Sequence, residues 1–287
     1  MQVPARFDYE VASTVEEAIE LLRRHGPEAR LLAGGHSLIP MMKLRLASPE
    51  VVIDIHELDD ELRYIQDDGG TLRIGALARH RDILESPLIR ERYTILTDAE
   101  PTIADPLVRN MGTIGGALSH ADPAEDLPAA FVALGCEVVV RGPDGERTIA
   151  IDDLYVGPYE TTIEPGEIMT EVRVPRAPQA SAYSKVERKA GDYASAALGV
   201  ALHMSGGTIE DVRIGMGGVG STTLRARRAE EVLKGERPGE ELYRRAGEAA
   251  AGECDPIEDA RGTPPYKRDL VRVLMGRAME KAVERTA

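Results

Sequence analysis

The chain has 287 residues, of which 49 are acidic and 35 basic, so its formal net charge is −14. This excess of acid argues against binding to nucleic acid or to an anionic membrane surface, because both need clustered Lys and Arg. No apolar stretch reaches the roughly 20 residues of a membrane helix, and the N-terminus lacks the apolar region of a secretory signal. We therefore expect a cytoplasmic protein.

Two cysteines, Cys136 and Cys254, lie far apart in unrelated contexts. This spacing is untypical of a disulfide framework or a cysteine-based zinc site, and an iron–sulfur cluster takes four thiolates. Any redox chemistry would therefore need an organic cofactor.

The first elements follow from local signals. Thr14 and Glu17 can form a capping box that begins a helix, and Gly26 ends it. The run ARLLAG predicts a short buried strand, Ser37 to Leu46 has helical spacing, and VVIDI predicts a second buried strand. Two hairpins turn at Asp68-Gly69-Gly70 and Asp144-Gly145, which are common turn sequences.

The rest of the chain divides at a proline-rich stretch. Residues 79–110 have a helical pattern, EIMTEVRVP predicts a strand, and RVPRAPQAS marks a domain boundary. Three consecutive antiparallel strands and three helices follow, so the class is α+β. The antiparallel strands are predicted at AYSKVER, ASAALGVALHM and TIEDVRIGM, and the helices at RARRAEEVLKG, ELYRRAGEAAAG and DLVRVLMGRAMEKAVER.

Two glycine-rich loops share one theme. In LLAGGHSLIPMM an apolar strand ends at Gly34-Gly35, and NMGTIGGALSHADPAEDLPAA repeats the pattern at Gly115-Gly116. Glycine lets a backbone approach a ligand closely, and successive N–H groups in such a turn form an anion-binding concavity. Two loops of this kind suit the two phosphates of a dinucleotide, with Ser37 and Thr113 as hydroxyl donors. The alternative is that both are tight turns.

Other motifs compete with this interpretation. Gly35-His36-Ser37 begins like a nucleophile elbow, but its last position is Ile39, so a serine hydrolase is not indicated. Neither loop continues into the GK[ST] of a P-loop. A G-x-G-x-x-G pattern at Gly215–Gly220, with Glu240 about 20 residues further on, leaves a nicotinamide-dependent dehydrogenase open.

The polar residues that follow the two glycine pairs could have structural roles instead of binding a metal or a ligand. His36 and His120 lack the spacing of a metal pair, so we predict no metal site and no catalytic residue. Asp122 and Asp126 could instead cap the helix DLPAAFVAL, a structural role that stays open for Asp122.

The two loops, AGGHSLIPMMKLRL and TIGGALSHADPAEDLPAAFVALG, resemble the flavin loops of the FAD-binding medium subunit of molybdenum hydroxylases. This family includes the carbon monoxide dehydrogenase medium chain and the xanthine dehydrogenase FAD-binding subunit. The resemblance extends through PARFDYEVASTVEEAIELL, GEIMTEVRVP, SKVERKAGDYASAA and TLRARRAEEVLKG, and so covers the whole chain.

The resemblance implies a vanillyl-alcohol-oxidase (PCMH)-type FAD-binding domain of two subdomains over residues 1–176. A C-terminal domain of the carbon monoxide dehydrogenase flavoprotein type, an antiparallel sheet packed by helices, would span residues 177–287. FAD would lie between the subdomains and against the C-terminal domain.

The resemblance also implies the residues that bind FAD. The first loop would contact the pyrophosphate, the second the rest of the cofactor, and three further residues the isoalloxazine ring, although Tyr193 could be a core tyrosine instead. The implied residues are Leu32, Ala33, Gly34, Gly35, His36, Ser37 and Leu38; Thr113, Ile114, Gly115, Gly116, His120, Asp122 and Asp126; and Ile168, Lys185 and Tyr193.

The implied function is electron transfer within a molybdenum hydroxylase. A [2Fe-2S] small subunit would deliver electrons from a molybdopterin-containing large subunit to this FAD, which passes them to an acceptor. The expected assembly is a dimer of heterotrimers. A non-catalytic assembly scaffold is the second alternative, beside the nicotinamide dehydrogenase.

Overall fold

The structure, a computed structural model, describes residues 3–286. It begins with a small parallel sheet of three strands in the order β1-β3-β2. Strand β1 (Asp8–Val11) leads into helix α1 (Val15–His25), and β2 (Ala29–Leu32) leads through helix α2 (Leu38–Lys43) to β3 (Val51–Asp54). Both pairs of strands are parallel.

Helix α1 begins and ends at its predicted residues. The Thr14 hydroxyl accepts a hydrogen bond from the Glu17 amide at 3.1 Å, and Gly26 ends the helix with a φ of 60°. The Glu17 carboxylate accepts from the Ser13 amide at 2.8 Å, one residue before the position that a capping box requires. The predicted helix over residues 37–46 is shorter, ending at Lys43.

The second subdomain has a five-stranded antiparallel sheet in the order β4-β5-β10-β6-β7. Both predicted hairpins form, β4 with β5 and β6 with β7. Residues 79–110 are four short α-helices and a 3-10 turn, as their pattern predicts. The elements of this subdomain, in chain order, are α3 (Asp59–Leu62), β4 (Ile65–Asp68), β5 (Thr71–Gly75), α4 (His80–Glu85), α5 (Pro87–Arg92), α6 (Thr94–Ala99), α7 (Pro106–Met111), α8 (Ile114–His120), α9 (Asp126–Leu134), β6 (Glu137–Gly142), β7 (Gly145–Ala150), β8 (Tyr155–Gly157), β9 (Glu160–Thr161) and β10 (Ile168–Val174).

The C-terminal domain is an antiparallel sheet in the order β11-β12-β13-β14, covered on one face by three helices. These elements are β11 (Ala180–Val186), β12 (Ala196–Ser205), β13 (Thr208–Gly217), β14 (Leu224–Arg225), α10 (Arg227–Leu233), α11 (Glu240–Ala251) and α12 (Pro264–Glu284). The α+β class and the antiparallel C-terminal sheet are confirmed. No helix among residues 3–286 is both long and apolar enough to cross a membrane.

Helix α9 joins the two domains. All nine of its residues are buried, and it packs on the face of the C-terminal sheet opposite the three helices. Gly199 and Gly215 form a cross-strand pair beneath it. A Cβ at Gly215 would lie 2.0 Å from the Ala129 carbonyl oxygen. These glycines therefore let the helix backbone lie directly on the sheet.

This packing corrects the dinucleotide interpretation of Gly215–Gly220. Gly215 and Gly217 lie inside strand β13, and the next element is the antiparallel strand β14. A Cβ at Gly217 would meet the Glu125 carbonyl oxygen at 3.3 Å. Because α9 occupies the space beside these glycines, no pyrophosphate can approach them.

Candidate functional site

The first glycine loop follows the carboxyl end of β2 and leads into α2. Ligands of α/β sheets commonly bind outside such strand ends. Gly35 has a φ of 74°, a conformation that favours glycine. No backbone or side-chain acceptor among residues 3–286 receives the N–H groups of residues 34–37. These amides are available to an anion, and the Ser37 hydroxyl makes no cap hydrogen bond.

The second glycine loop differs from the first. Its glycines form the first turn of α8, whose N-cap is Thr113. The Ile114 and Gly115 amides donate to the carbonyls of Ala78 and Ala76, at 2.9 and 2.8 Å, and the Gly116 amide donates to the Thr113 hydroxyl at 3.1 Å. The expectation of a second open phosphate cradle is therefore wrong, since these donors are already engaged.

Close packing explains the glycines of this second loop. A Cβ on Gly115 would lie 2.6 Å from the Ala76 Cβ. In the first loop, a Cβ on Gly34 would lie 2.4 Å from the Met111 carbonyl oxygen and 2.7 Å from the Gly112 Cα. The two loops thus touch through their backbones and form one continuous wall.

This wall bounds a cleft of about 870 Å³ where the two subdomains and the C-terminal domain meet. Thirteen of the predicted residues line it, namely Ala33, Gly34, Gly35, His36, Ser37, Leu38, Thr113, Gly115, Gly116, His120, Asp126, Ile168 and Tyr193. The His36 ring bonds through Nδ1 to the Gly34 carbonyl at 2.7 Å, within its own loop.

Four predicted residues lie outside the cleft lining. Leu32 ends strand β2, and Ile114 is fully buried. Asp122 accepts hydrogen bonds from the Ala124 amide at 2.9 Å and the Tyr159 hydroxyl at 3.1 Å. Lys185 is buried in an ion pair with Asp126. Their contact with a cofactor stays a prediction.

Aromatic side chains line another part of the cleft. The rings of His120 and Tyr159 lie 5.2 Å apart between centroids. Tyr193 is 41% exposed, and the Arg261 guanidinium lies 5.3 Å from its ring centroid on one face. Such a ring presents a flat surface on which a planar ligand can stack.

The comparisons with known proteins cover the whole chain. Residues 5–177 match the family described as "FAD binding domain in molybdopterin dehydrogenase", and residues 181–282 match "CO dehydrogenase flavoprotein C-terminal domain". The chain belongs to this family. It is an FAD-binding medium subunit of the molybdenum hydroxylase type, and so an oxidoreductase subunit.

Relatives named for different substrates match this chain over almost its full length. The carbon monoxide dehydrogenase medium chain of Hydrogenophaga pseudoflava is 42% identical over 287 residues, 99% of this chain and 100% of that protein. The glyceraldehyde dehydrogenase medium chain of Sulfolobus acidocaldarius is 37% identical over 97% of this chain and 99% of that protein. A solved carbon monoxide dehydrogenase structure from H. pseudoflava gives a TM-score of 0.96 at 43% identity, covering 99% of this chain and 100% of that one.

The cleft fits the FAD expected of this family. Its volume is within the range of cofactor pockets, and more of its lining is apolar than polar. Among the described residues, Arg30 is the single Lys or Arg of the lining, and its guanidinium donates to the carbonyls of Pro27 and Ala29 at 2.7 Å each. Backbone N–H groups are therefore the main donors that the cleft offers to a pyrophosphate.

A buried ionic cluster fixes the floor of the cleft. The Lys185 ammonium contacts the carboxylates of Asp126 and Glu187 at 2.9 and 3.0 Å and donates to the Thr102 carbonyl at 3.0 Å. The Tyr183 hydroxyl donates to Asp126 at 2.5 Å. Burial raises the pKa of Asp126, and Lys185 opposes that rise. The cluster ties α9 to strand β11.

Sequence reasoning missed Tyr159, Glu125 and Arg261. Tyr159 has a φ of 60°, and Ala104, which also lines the cleft, has a φ of 44°. Backbone strain of this kind concentrates at functional sites, but neither residue carries a local sequence signal for it. Burial lowers the pKa of His120, so its imidazole is neutral at pH 7.

Proposed function

We propose that this subunit receives electrons from an iron–sulfur subunit and passes them, through its FAD, to an acceptor such as a quinone or NAD. The observation that carries this proposal is the first glycine loop, whose open amides face a cleft large enough for a dinucleotide. FAD, when bound, supplies the redox chemistry, because the cofactor accepts and releases the electrons.

The chain's own residues bind and orient the cofactor. In this proposal the amides of residues 34–37 and the Ser37 hydroxyl donate to the pyrophosphate. Thr113 and Gly116 contact the cofactor across the wall that the two loops form, while Ile168 and Tyr193 flank the isoalloxazine ring. The protein thus positions the ring, and no side chain has to act on a substrate.

The partners in this proposal are a molybdopterin-containing large subunit and a [2Fe-2S] small subunit, assembled as a dimer of heterotrimers. The relatives support the presence of other subunits, because they are named as medium chains of dehydrogenases. We also retain residues 176 and 177 as the domain boundary. The large subunit would select the substrate, so carbon monoxide, aldehydes, xanthine and N-heterocycles all stay open.

Gly35→Ala tests the role of the first loop. The loop requires a positive φ at this residue, which is unfavourable for alanine. The added Cβ would also lie 2.8 Å from the Ile39 Cδ1. We expect FAD affinity to fall at least about tenfold, or about 1.4 kcal/mol. The measurement is the dissociation constant for FAD, together with the molar ratio of FAD to this chain after the purified complex is denatured.

Gly235→Ala is the matched control. Gly235 also has a positive φ, 82°, but a Cβ there would meet nothing within 4 Å among the described residues. Both variants therefore strain the backbone, but only Gly35→Ala changes the first glycine loop. Equal FAD content in the two variants would remove the first loop from the site. A wild-type complex that releases no FAD would overturn the proposed function itself.

A further inference from the structure

Glu125 has a carboxyl oxygen that no hydrogen bond within the described part of the chain satisfies. The residue precedes α9 and lines the cleft. Part of Glu125 is exposed there, but its Oε2 is buried and has no hydrogen-bond partner among residues 3–286. A buried carboxylate without a donor is costly, whereas the protonated acid carries no charge to desolvate.

The charged groups that act most strongly on the Glu125 carboxyl are acidic. Burial raises the pKa of Glu125 well above its ordinary value, and Asp122 and Asp126 raise it further. The Lys185 ammonium is already shared by Asp126 and Glu187, and Arg261 lies over the Tyr193 ring. The titratable or charged groups that face Glu125 and its immediate neighbours are Asp122, Asp126, Tyr155, Tyr159, Tyr193, His120, Lys185, Glu187 and Arg261.

The pKa of a buried carboxyl group next to a redox cofactor depends on the charge of that cofactor. Electrons that enter the cleft add negative charge, which favours the neutral form of a neighbouring carboxyl group. We propose that Glu125 binds and releases a proton in step with the electrons that enter and leave the flavin. This inference rests on the proposed function, because it needs FAD in the cleft.

The exchange balances in atoms and charge. When two electrons have arrived, one at a time, from the iron–sulfur subunit, ionised Glu125 forms an O–H bond with a proton drawn from solvent at the cleft mouth. When the acceptor removes the electrons, that bond breaks and the proton returns to solvent. At a pH below the pKa of Glu125 in the oxidised protein, the carboxyl stays neutral throughout and no exchange occurs.

The first test needs no cofactor. Glu125 has an ordinary pKa of 4.5 when unfolded and a higher one when folded. Between these two values the folded chain holds a proton that the unfolded chain has lost, so unfolding releases it and stability falls as the pH rises. Glu125→Gln should therefore release up to about one proton fewer per chain on unfolding in this window.

Glu164→Gln is the matched control for that count. Glu164 lines the same cleft but is exposed, so Glu164→Gln removes a carboxyl group from the cleft that is not buried. Equal proton release by the wild-type chain and Glu125→Gln throughout this pH window would show that folding does not raise the pKa of Glu125. The proposed exchange rests on that raised pKa and would be overturned.

The second test uses the FAD-loaded protein. The flavin midpoint potential is measured from about pH 6 to pH 10 in the wild type and in Glu125→Gln. We expect a range in which the wild-type potential falls with pH as if one further proton accompanied each pair of electrons, and we expect Glu125→Gln to lack it. If the wild type and Glu125→Gln both contain FAD and their midpoint potentials vary with pH in the same way, the proton exchange is overturned but the proposed function is not. Absence of FAD from the wild type would overturn the proposed function, and this inference with it.

Discussion

At the scale of single residues, Lys185 shows that the partners of a buried charge come from distant parts of the sequence. Its side chain is 2% exposed, and Asp126, the partner 59 positions away in the sequence, is 7% exposed. The family resemblance suggested a flavin contact, whereas the structure surrounds this ammonium with two carboxylates and a carbonyl. Nothing in the sequence near Lys185 indicates this pairing, because the contacts form only when α9 packs on the C-terminal sheet.

Lys185→Met should destabilise the chain strongly. Removing the cation leaves the buried Asp126 carboxylate with the Tyr183 hydroxyl but no counter-ion, and the half-buried Glu187 also loses its cation. Breaking a buried ion pair in this way typically costs about 3–5 kcal/mol. The measurement is the free energy of unfolding from urea titration. Lys234→Met is the control, because that ammonium is 65% exposed and lies 3.8 Å from Asp211, a pair worth at most about 1 kcal/mol.

The double variant Lys185→Met/Asp126→Leu refines this prediction. It removes the paired carboxylate together with the cation, so part of the lost stability should return. A double variant no more stable than Lys185→Met would mean that the loss comes from packing and not from an uncompensated charge.

At the scale of helices and strands, local signals predicted most elements. The cap at Thr14, the stop at Gly26 and the two glycine turns act within a few residues, so a sequence window contains them. The expectation of an open phosphate cradle at Gly115 and the alternative of a dinucleotide turn at Gly215 failed because the packing that requires these glycines is non-local. Gly115 accommodates Ala76 and Gly215 accommodates Ala129, contacts that a sequence pattern cannot reveal.

Gly215→Ala should loosen the packing of α9 on the sheet. The added methyl group would overlap the Ala129 carbonyl and push helix and strand apart, at a cost of about 2–3 kcal/mol. Gly276→Ala is the control, since Gly276 lies in α12 with nothing within 4 Å of a Cβ. That variant should gain about 0.5–1 kcal/mol from helix propensity.

Thermal unfolding of both variants measures this difference. The nicotinamide interpretation makes the opposite prediction, in which Gly215→Ala lowers NAD binding and leaves the melting temperature unchanged. A Gly215→Ala chain as stable as the wild type would therefore contradict the packing role.

At the scale of the whole molecule, the cleft exists only where three units meet. The two scattered cysteines implied that any redox chemistry would need an organic cofactor, and the two glycine-rich loops predicted where a dinucleotide would bind. Tyr159 reaches the cleft from the turn between β8 and β9, Tyr193 from the loop between β11 and β12, and Glu125 from the residue before α9. Their proximity therefore follows from the tertiary fold. The cytoplasmic location stays a prediction.

The same arrangement leaves an apolar surface beside the cleft. The elements that meet at Gly34 expose a set of large apolar side chains, which is typical of a contact with another protein. We call this set the apolar rim, and it consists of Ile39, Leu44, Leu46, Leu107 and Met111. Leu46 and Leu107 are 72% and 73% exposed, so their substitution should leave the fold intact.

We expect the iron–sulfur subunit of the proposed assembly to contact the apolar rim, because electrons must reach a flavin in the adjoining cleft. Leu46→Glu/Leu107→Glu should then lower the share of this chain recovered in the co-expressed complex at least about tenfold, since buried carboxylates at an interface cost more than about 1.4 kcal/mol. Size-exclusion chromatography measures that share. The control Ile257→Glu/Val273→Glu changes two exposed apolar residues of the C-terminal domain, which are 75% and 50% exposed. Intact assembly of the rim variant, or equal loss in both, would place the partner elsewhere, because a contact at the rim requires the rim variant alone to fail.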